Sequence, residues 1–374
     1  MKSILTSIAA SSLLAALAIA QTPRYDVIDL GAVGVPTGGP YAIANNGLVG
    51  GAAISSGAMR AVLWYKGLKM DIGTLGGPNS AALGVNDRRQ IVGEAETLAP
   101  NGDDFCGFNA SGFPHSGATC RPFLWQNGVM TQLPTLGGGS AVATMINNRG
   151  EVVGQSENGM RDPDPACPVS QFKPVIWENG KIQELPTVAG DPDGVAAWIN
   201  DNGQVVGSSG ACAPAFDPNA GNYLVENHAL LWENGKVTDL GNLGTQGFAG
   251  NHACEINNQG QVVGHTNSDT STRGYLWTRA TGMQNLGTLS GDFASLAIGI
   301  NDGGEVVGVS VDGNFNERAF LWEKGVMQDL NALIASNPSG LQLQVGSSIN
   351  SSGEIIGVAQ NSAGETHGFL ATPH

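Results

Sequence analysis

Charged residues are scarce in this sequence, and cations are scarcer than anions. Lys, Arg, Asp and Glu make up 13% of the 374 residues, and 17 Lys and Arg stand against 32 Asp and Glu, which gives a formal net charge of −15. An acidic chain repels phosphate backbones and anionic lipid headgroups. Nucleic acid and membrane surfaces are therefore not expected as partners.

Several familiar catalytic and cofactor motifs are also missing. The sequence contains no Gly-x-Ser-x-Gly, no phosphate-binding loop, no dinucleotide fingerprint and no His-Glu-x-x-His. Asp162-Pro163-Asp164 and Asp191-Pro192-Asp193-Gly194 each fall short of a complete calcium loop. We therefore expect neither a metal nor a cofactor, and a binding protein is favoured over an enzyme. Paired carboxylates for glycoside hydrolysis stay open, because their separation is set in space rather than in sequence.

Long apolar runs are confined to the start of the sequence. Met1-Lys2 precedes an apolar run from Ile4 to Ala20 that ends in Ala18-Ile19-Ala20. This pattern predicts a secretory signal peptide over residues 1–20, cleaved before Gln21, and the run is too short for a spanning helix. Residues 21–374 are therefore expected to form a secreted, extracellular and monomeric protein.

Glycine is abundant, with 55 residues, and much of it belongs to one repeated pattern. The core of the pattern is Ile-Asn-x-x-Gly-x-Val-Val-Gly. Close copies occupy residues 146–154, 199–207, 256–264 and 300–308, and looser copies end at Gly50, Gly93 and Gly357. A sequence with a fixed internal repeat is a stack of one supersecondary unit. The repeat therefore indicates the fold before any single residue is interpreted.

Each repeat holds four short apolar runs separated by Gly and Asn turns. Two runs flank the Ile-Asn turn, a third ends in a hydrophobic residue and Trp, as in Leu231-Trp232, and a fourth precedes a Leu, as in Asp239-Leu240. Four short strands per repeat are typical of a propeller blade. No window shows the 3.6-residue apolar period of a helix. The sequence therefore predicts an all-β, seven-bladed β-propeller of four-stranded blades.

The two ends of the pattern are complementary fragments of one blade. Residues 25–31 match a fourth strand with no first three before it, and residues 367–370 match a third strand with no fourth after it. Pairing of the two fragments would close the ring and remove two exposed sheet edges. We therefore expect the N-terminal strand to complete the last blade.

These motifs resemble the HAF family of extracellular repeats. The resemblance rests on the Ile-Asn pattern, on Arg318-Ala319-Phe320-Leu321-Trp322, and on Asp71-Ile72-Gly73-Thr74-Leu75-Gly76-Gly77. It covers nearly all of residues 21–374. It implies a secreted repeat protein and implies no particular reaction.

Five cysteines follow the predicted signal peptide. In a secreted chain, disulfides are the default state. Cys106 and Cys120 bracket one insertion and are predicted to pair, and Cys167 and Cys212 lie in the next two insertions and are candidates to pair across neighbouring blades. Cys254 lies in a strand and is predicted to be a buried free thiol. Asn109-Ala110-Ser111 is a candidate glycosylation site.

Long insertions are predicted to share one end of the propeller, which we call the long-loop face. They are Glu94–Thr119, Gln155–Phe172 and Ser208–Asn227. Short turns such as residues 147–150 define the opposite end, the turn face. Variable loops on one rigid face are how repeat folds build binding surfaces. Phe216 and Tyr223, in the third insertion, are candidate ligand contacts.

One position is basic in all seven repeats. Its members are Arg60, Arg121, Lys173, His228, Arg273, Arg318 and His367. Two interpretations are open. The seven residues could form a positive ring near one mouth of the central channel that binds an anionic sugar. They could instead form a hydrogen bond or ion pair with a repeated partner in the adjacent blade, such as the Asp of Asp-Leu-Gly, and this structural interpretation is favoured.

Departures from the repeat are further functional clues. Counting across the hairpin turn at Asn257 and Gly260 predicts that His252 faces His265. No other repeat carries a pair of histidines at these positions. Two adjacent imidazoles are weak candidates for catalysis, with His228 as a possible neighbour. Trp198 and Glu255 precede the Ile of Ile-Asn in neighbouring repeats, and the Trp is interpreted as core filler.

The sequence thus supports three functions. The first is binding of an extracellular carbohydrate or cell-wall polymer on the long-loop face, the second is a polysaccharide lyase or hydrolase at the channel mouth, and the third is a protein-interaction scaffold. A polar, Gly-rich surface with scattered aromatics favours the first. This step is an analogy at the level of the fold.

Overall fold

The computed structural model describes residues 25–34, 39–100, 117–163, 167, 170–212, 224–244 and 250–374. The first strand, β1 (Tyr25–Ala32), pairs antiparallel with the last strand, β29 (Thr366–Pro373), with Tyr25 opposite Pro373. Between them the chain forms six four-stranded sheets and then the remainder of the seventh. The seven-bladed propeller and its closure by the N-terminal strand are confirmed.

The first six blades each use four consecutive antiparallel strands. Blades 1 and 2 comprise β2 (Gly39–Ile43), β3 (Val49–Ser55), β4 (Ala58–Tyr65), β5 (Leu68–Asp71), β6 (Gly76–Val85), β7 (Ile91–Pro100), β8 (Ala118–Gln126) and β9 (Val129–Gln132). Blades 3 and 4 comprise β10 (Ala141–Ile146), β11 (Val152–Arg161), β12 (Ser170–Glu178), β13 (Lys181–Glu184), β14 (Asp193–Ile199), β15 (Val205–Cys212), β16 (Leu224–Glu233) and β17 (Lys236–Asp239). Blades 5 and 6 comprise β18 (His252–Ile256), β19 (Val262–Asn267), β20 (Thr272–Thr278), β21 (Gly282–Asn285), β22 (Asp292–Ile300), β23 (Val306–Asp312), β24 (Glu317–Glu323) and β25 (Val326–Asp329).

Blade 7 has one strand more than the sequence predicts. It contains β27 (Gln342–Ile349), β28 (Ile355–Gln360), β29 and β1, and the short β26 (Ile334–Ser336) adds to β1 in parallel. A 3-10 helix, Leu330–Leu333, leads into β26. The extra strand covers the outer edge of β1, which would otherwise expose unpaired backbone groups. Among the described residues, no helix is long and apolar enough to span a membrane.

The Gly of Val-Val-Gly is required by a bulge in the innermost strand. In blade 3 the register shifts between Ala143 and Met145, opposite Gly154. A Cβ at Gly154 would lie 2.0 Å from the Val142 carbonyl oxygen, which is inside van der Waals contact. The same clash recurs in blade 5, between Gly264 and the His252 carbonyl. The repeated Gly therefore lets the bulge carbonyl approach the second strand.

The Asn of Ile-Asn joins each blade to the next on the turn face. Asn257 is 4% exposed, and its Oδ1 accepts hydrogen bonds from the Gln259 and Gln261 NH groups at 3.1 and 2.9 Å. Its Nδ2 donates to Gln261 Oε1 at 2.7 Å and to the Asn301 carbonyl of the next blade at 3.0 Å. Equivalent bonds to the next blade start at Asn86, Asn147, Asn200, Asn301 and Asn350. We call these six residues the asparagine ring, and the last bond, to the Ala44 carbonyl, reaches blade 1.

We expect Asn257→Ala to lower the free energy of unfolding by about 2–4 kcal/mol, because it removes both turn caps and the bond to the next blade. Asn361→Ala is the matched control. Asn361 caps its own turn in the same way, with Oδ1 accepting from the Ala363 and Glu365 NH groups, but on the long-loop face. The control should lose about 1 kcal/mol. Urea denaturation measures both, and equal losses would contradict a role for the asparagine ring in joining blades.

Candidate functional site

All seven basic residues of the repeat are engaged within the protein. Arg318 lies 2.7 Å from Asp292 and 3.2 Å from Asp329, and Arg60 lies 3.0 Å from Asp71 and donates to the Pro78 carbonyl. The others have equivalent partners: the Gly138 carbonyl for Arg121, the Pro192 carbonyl for Lys173, Asp191 for His228, the Phe293 carbonyl for Arg273 and Asp29 for His367.

Each basic residue lies on the third strand of its blade and contacts a segment that enters a blade, the Asp of its own fourth strand, or both. The segment leads into the next blade for Arg60, Arg121, Lys173 and Arg273, and into the residue's own blade for His228 and Arg318. The Asp of the fourth strand is contacted by Arg60, His228, Arg318 and His367. The structural interpretation of the basic position accounts for these bonds. Two strands separate the seven residues from the central channel, and none lines the cavity at its turn-face mouth. Their role in ligand binding stays a prediction.

The two histidines of blade 5 do face each other. His252 on β18 pairs with His265 on β19, and their rings stack with centroids 5.6 Å apart and planes inclined by 28°. Non-polar or small residues fill the His252 position of blades 2, 3, 4, 6 and 7, namely Ala81, Val142, Val195, Leu296 and Val345. The fold therefore does not require an imidazole there.

A carboxylate and a hydroxyl from blade 4 complete this site, which we call the histidine cluster: His252, His265, Glu226, Ser208 and Cys254. His252 Nδ1 lies 2.6 Å from Glu226 Oε1 and 3.2 Å from Ser208 Oγ. Ser208 Oγ also donates to Glu226 Oε1 at 3.2 Å. Serine and carboxylate approach the same ring nitrogen, so the three do not form a Ser–His–acid relay, in which they occupy opposite nitrogens.

The environment separates the two imidazoles in pKa. Burial opposes protonation of His252, but the charge of Glu226 and its hydrogen bond outweigh burial and raise the pKa of His252. Burial, aided by the positive charge of His252, lowers the pKa of His265 to about 4. His252 is therefore the more readily protonated of the two, and His265 is neutral near neutral pH. Two neighbouring titratable groups whose pKa values differ in this way are suited to proton transfer and to polar recognition.

Cys254 is the free thiol of the histidine cluster. Its Sγ lies 3.7 Å from His265 Nδ1, and its side chain is half-buried rather than fully enclosed. Burial, with the charges of Glu226 and Glu255, raises the pKa of the Cys254 thiol. A thiol with a raised pKa is a poor nucleophile. The prediction of a free cysteine is confirmed, and the structure gives it no catalytic activation.

A second set of polar side chains lies beside the histidine cluster, on blades 3 and 4. Asp191 Oδ2 lies 2.7 Å from His228 Nδ1 and accepts from Ser209 Oγ at 2.6 Å. Burial raises the pKa of Asp193 to about 7, against a bond from the Phe172 NH, and the neighbouring Asp162 adds to the rise.

The predicted disulfide between Cys167 and Cys212 is confirmed. Its Cα atoms are 5.9 Å apart, and it ties the insertion of blade 3 to that of blade 4. Cys120 is also disulfide-bonded, but its predicted partner Cys106 lies outside the described residues. The signal peptide over residues 1–20, Asn109, Phe216 and Tyr223 lie outside them as well. These assignments stay predictions.

The turn face carries a separate cavity at the channel mouth, with a volume of about 110 Å³. Trp198, Met145 and Glu255 line it. Trp198 packs against the apolar cores of blades 4 and 5 and, across the channel, against the core of blades 1 and 2. Trp198 therefore fills part of the core, and its remaining surface lines the cavity.

Glu255 is the one acid at the level of Trp198. Burial and the charge of Asp302 raise its pKa, against a bond from the Ile300 NH. The sequence pattern singles out Glu255 and Trp198 but does not predict the cavity, because residues from seven separate turns form it.

Several residues of these sites were missed although the sequence contains signals for them. Glu226 lies two residues before the basic position His228, and Ser208 directly follows the Gly of Val-Val-Gly. The residue after Ile-Asn, or its equivalent, alternates between amide and acid around most of the ring: Asn45, Asp87, Asn148, Asp201, Asn258, Asp302 and Ser351. The partners of these residues lie on neighbouring blades, so a single-repeat pattern does not connect them.

Comparisons with known proteins agree with the fold. No protein-family model and no characterised protein sequence matches the chain significantly. The β-propeller domain of the Trilobed protease from Pyrococcus furiosus is similar with a TM-score of 0.51 at 12% identity, over 79% of this chain and 84% of that one. Virginiamycin B lyase from Staphylococcus aureus is similar with a TM-score of 0.52 at 10% identity, over 93% and 99% of the two chains. At such identities the likeness shows the fold alone.

Arg318→Met should lower the free energy of unfolding by about 2 kcal/mol, because it leaves the Asp292 carboxylate buried without its cation. The side chain of Asp292 is 1% exposed and that of Arg318 is 32% exposed, so the loss is smaller than for a fully buried pair. Adding Asp292→Asn should restore part of it. Arg279→Met, which breaks a surface pair with Glu233, should cost under about 1 kcal/mol. If thermal and urea unfolding gave the same stability for Arg318→Met as for the wild type, the structural role of Arg318 would be contradicted.

NMR titration of the His252 and His265 imidazoles should give two well-separated transitions. His265 should protonate near pH 4, and His252 should stay protonated above the ordinary value of 6.5. Glu226→Gln removes the negative charge, so the pKa of His252 should fall. Glu365→Gln, which makes the same change at an exposed acid of blade 7, is the control and should leave the pKa of His252 unchanged. Equal pKa values for His252 and His265 would contradict the described electrostatics.

Proposed function

We propose that the protein binds a hydroxyl-rich extracellular ligand, a carbohydrate or cell-wall polymer, on its long-loop face. The observation that carries the proposal is the histidine cluster. It lies where β18 begins and where β16 leaves the third long insertion. Its carboxylate and imidazole are partly accessible, with side-chain exposures of 15% for Glu226 and 20% for His252.

The chemistry of the histidine cluster suits sugar hydroxyls. A carboxylate accepts from hydroxyl groups, and an imidazole donates to them or accepts from them according to its protonation. A charged partner makes such hydrogen bonds shorter and stronger. A cationic His252 held by Glu226 and a neutral His265 offer both roles within one stacked pair.

The surroundings support an extracellular binding protein. The Cys167–Cys212 disulfide is consistent with an oxidising compartment. It also fixes the relative position of two insertions, which lowers the entropy lost when a ligand orders them. The resemblance to HAF repeats implies secretion and agrees with this proposal.

A polysaccharide-acting enzyme is the second candidate, and one observation favours it. The separation in pKa between His252 and His265 is the arrangement that a general acid and a general base need. A lyase would use the neutral His265 to remove a proton and the cationic His252 to deliver one. Binding without turnover remains the first proposal, because the described residues give the pair neither an activated nucleophile nor an oxyanion site.

A glycan and polysaccharide array, followed by mass spectrometry of each bound ligand, tests the proposal. The protein is residues 21–374, and the variant is His252→Val, which installs the residue that blades 3, 4 and 7 carry at this position. We expect intact glycan on the wild type and at least a tenfold loss of affinity in the variant, about 1.4 kcal/mol. His374→Ala, at an exposed histidine away from the site, should bind normally.

Three other results would overturn the proposal in different ways. Shortened or unsaturated products would establish an enzyme instead. Retention that His252→Val leaves unchanged would remove the histidine cluster from the binding site. No retained glycan and no product would favour a protein-interaction scaffold.

A further inference from the structure

The channel mouth on the turn face is lined by acidic side chains, while Arg88 stands at its outer rim and donates to the Asn148 carbonyl. Asp87, Asp201 and Asp302 stand half-exposed around it, and no Lys, Arg or His is among the residues that line the cavity. Arg149, on the outer rim, is already paired with Glu151. A concave surface with charge of one sign concentrates ions of the other sign. The mouth therefore attracts cations.

The aspartates are held in fixed positions by amides. Asn148 Nδ2 donates to Asp87 Oδ2 and to Asp201 Oδ2, both at 3.0 Å. Asn258 Nδ2 donates to Asp302 Oδ2 at 3.0 Å. Neutral amides satisfy the carboxylate oxygens but do not neutralise their charge. This arrangement by itself explains a rigid rim and does not yet define a ligand.

The independent observation is Glu255, below the rim. It is 5% exposed and lines the same cavity, and its Oε2 is buried without a hydrogen-bond partner. A buried carboxyl oxygen without a partner is costly and calls for explanation. The fold does not require an acid here, because the equivalent residues of four other blades are small: Ala42, Gly84, Gly299 and Ser348.

Gly299 gives the carboxyl group its space. A Cβ at this position would lie 3.4 Å from Glu255 Oε2 and 3.0 Å from the Cα of Ser348. The cavity volume of about 110 Å³ is below the roughly 150 Å³ of an engineered cavity that admits benzene, so it fits one short alkyl group. Trp198 and Met145 supply an apolar floor beside the acid. The cavity thus combines an anionic rim, an apolar floor and one unpartnered acid.

We infer that the turn-face cavity binds a primary ammonium group on a short aliphatic chain, with Glu255 as its ion-pair partner. The ammonium supplies the donor that Glu255 Oε2 lacks, and its positive charge favours the ionised carboxylate against the burial that raises the pKa of Glu255. Its alkyl chain covers Trp198, whose ring face also attracts cations. This site is independent of the proposed carbohydrate site, because it lies at the opposite end of the propeller. The ligand is either a free amine or a lysine side chain of a partner protein.

Calorimetric titration with n-butylamine, against n-butanol as its uncharged counterpart, tests the inference. We expect the wild type to bind the amine at least tenfold more tightly than the alcohol. Glu255→Gln should reduce amine affinity at least tenfold. Glu365→Gln makes the same chemical change at an exposed site on the long-loop face and should bind as the wild type does.

A second variant and a peptide pair complete the experiment. Glu255→Ser installs the residue found at position 348 and should lose amine binding as well, which guards against misfolding of the first variant. A lysine peptide that binds more tightly than butylamine, and loses binding on Nε-acetylation, would identify a protein lysine as the source. Binding of the free amine alone would identify a small amine. Equal affinity for amine and alcohol, no binding by the wild type, or unchanged binding by both variants would overturn the inference.

Discussion

The fold depends on one hydrogen bond repeated around the turn face. In each link of the asparagine ring, one side-chain amide caps its own hairpin and reaches the backbone of the next blade. Because the same group does both, the hairpin shape and the angle between blades are set together. Blade 1 has Ala44 in place of the asparagine, and there Asn45 and Asn46 bind Asp87 instead. A blade that changed its turn would break two junctions at once.

Because of this constraint, the turn face has nearly the same geometry in every blade, whereas the long-loop face varies from blade to blade. The turn face is occupied by bonds that close the ring, so its chemistry can change only below the rim, where Glu255 and Trp198 lie. The long-loop face has no such ring, and blades 3 to 5 differ there in length and polarity. The histidine cluster arises at that end from two neighbouring blades, through Glu226 on one and His252 on the other. A site of this kind requires that both neighbouring blades carry residues that differ from the repeat pattern.

Sequence reasoning reached whatever lies within one repeat. The strands follow from the repeat, and the closure of β1 on β29 follows from two complementary fragments of one blade. The facing of His252 and His265 follows from counting across a hairpin, although the bulge between Ala253 and Glu255 shifts the register by one residue. Sequence reasoning did not reach what passes between blades, such as the bond from Arg121 to the Gly138 carbonyl or from His252 to Glu226. Those distances depend on how the sheets twist and pack, and a one-dimensional pattern does not contain them. The β26 strand was missed for the same reason.

The pairing of β1 with β29 has a consequence for how the chain reaches this state. His367 contacts Asp29 across 338 positions of sequence, so the strand that is synthesised first obtains its partner last. Until β1 pairs with β29, blade 7 lacks its fourth strand. Loop closure over such a distance is entropically costly and slow compared with hairpin formation. The barrier that delays closure also protects the finished ring, since unfolding from either terminus must first separate the two ends of the chain from each other.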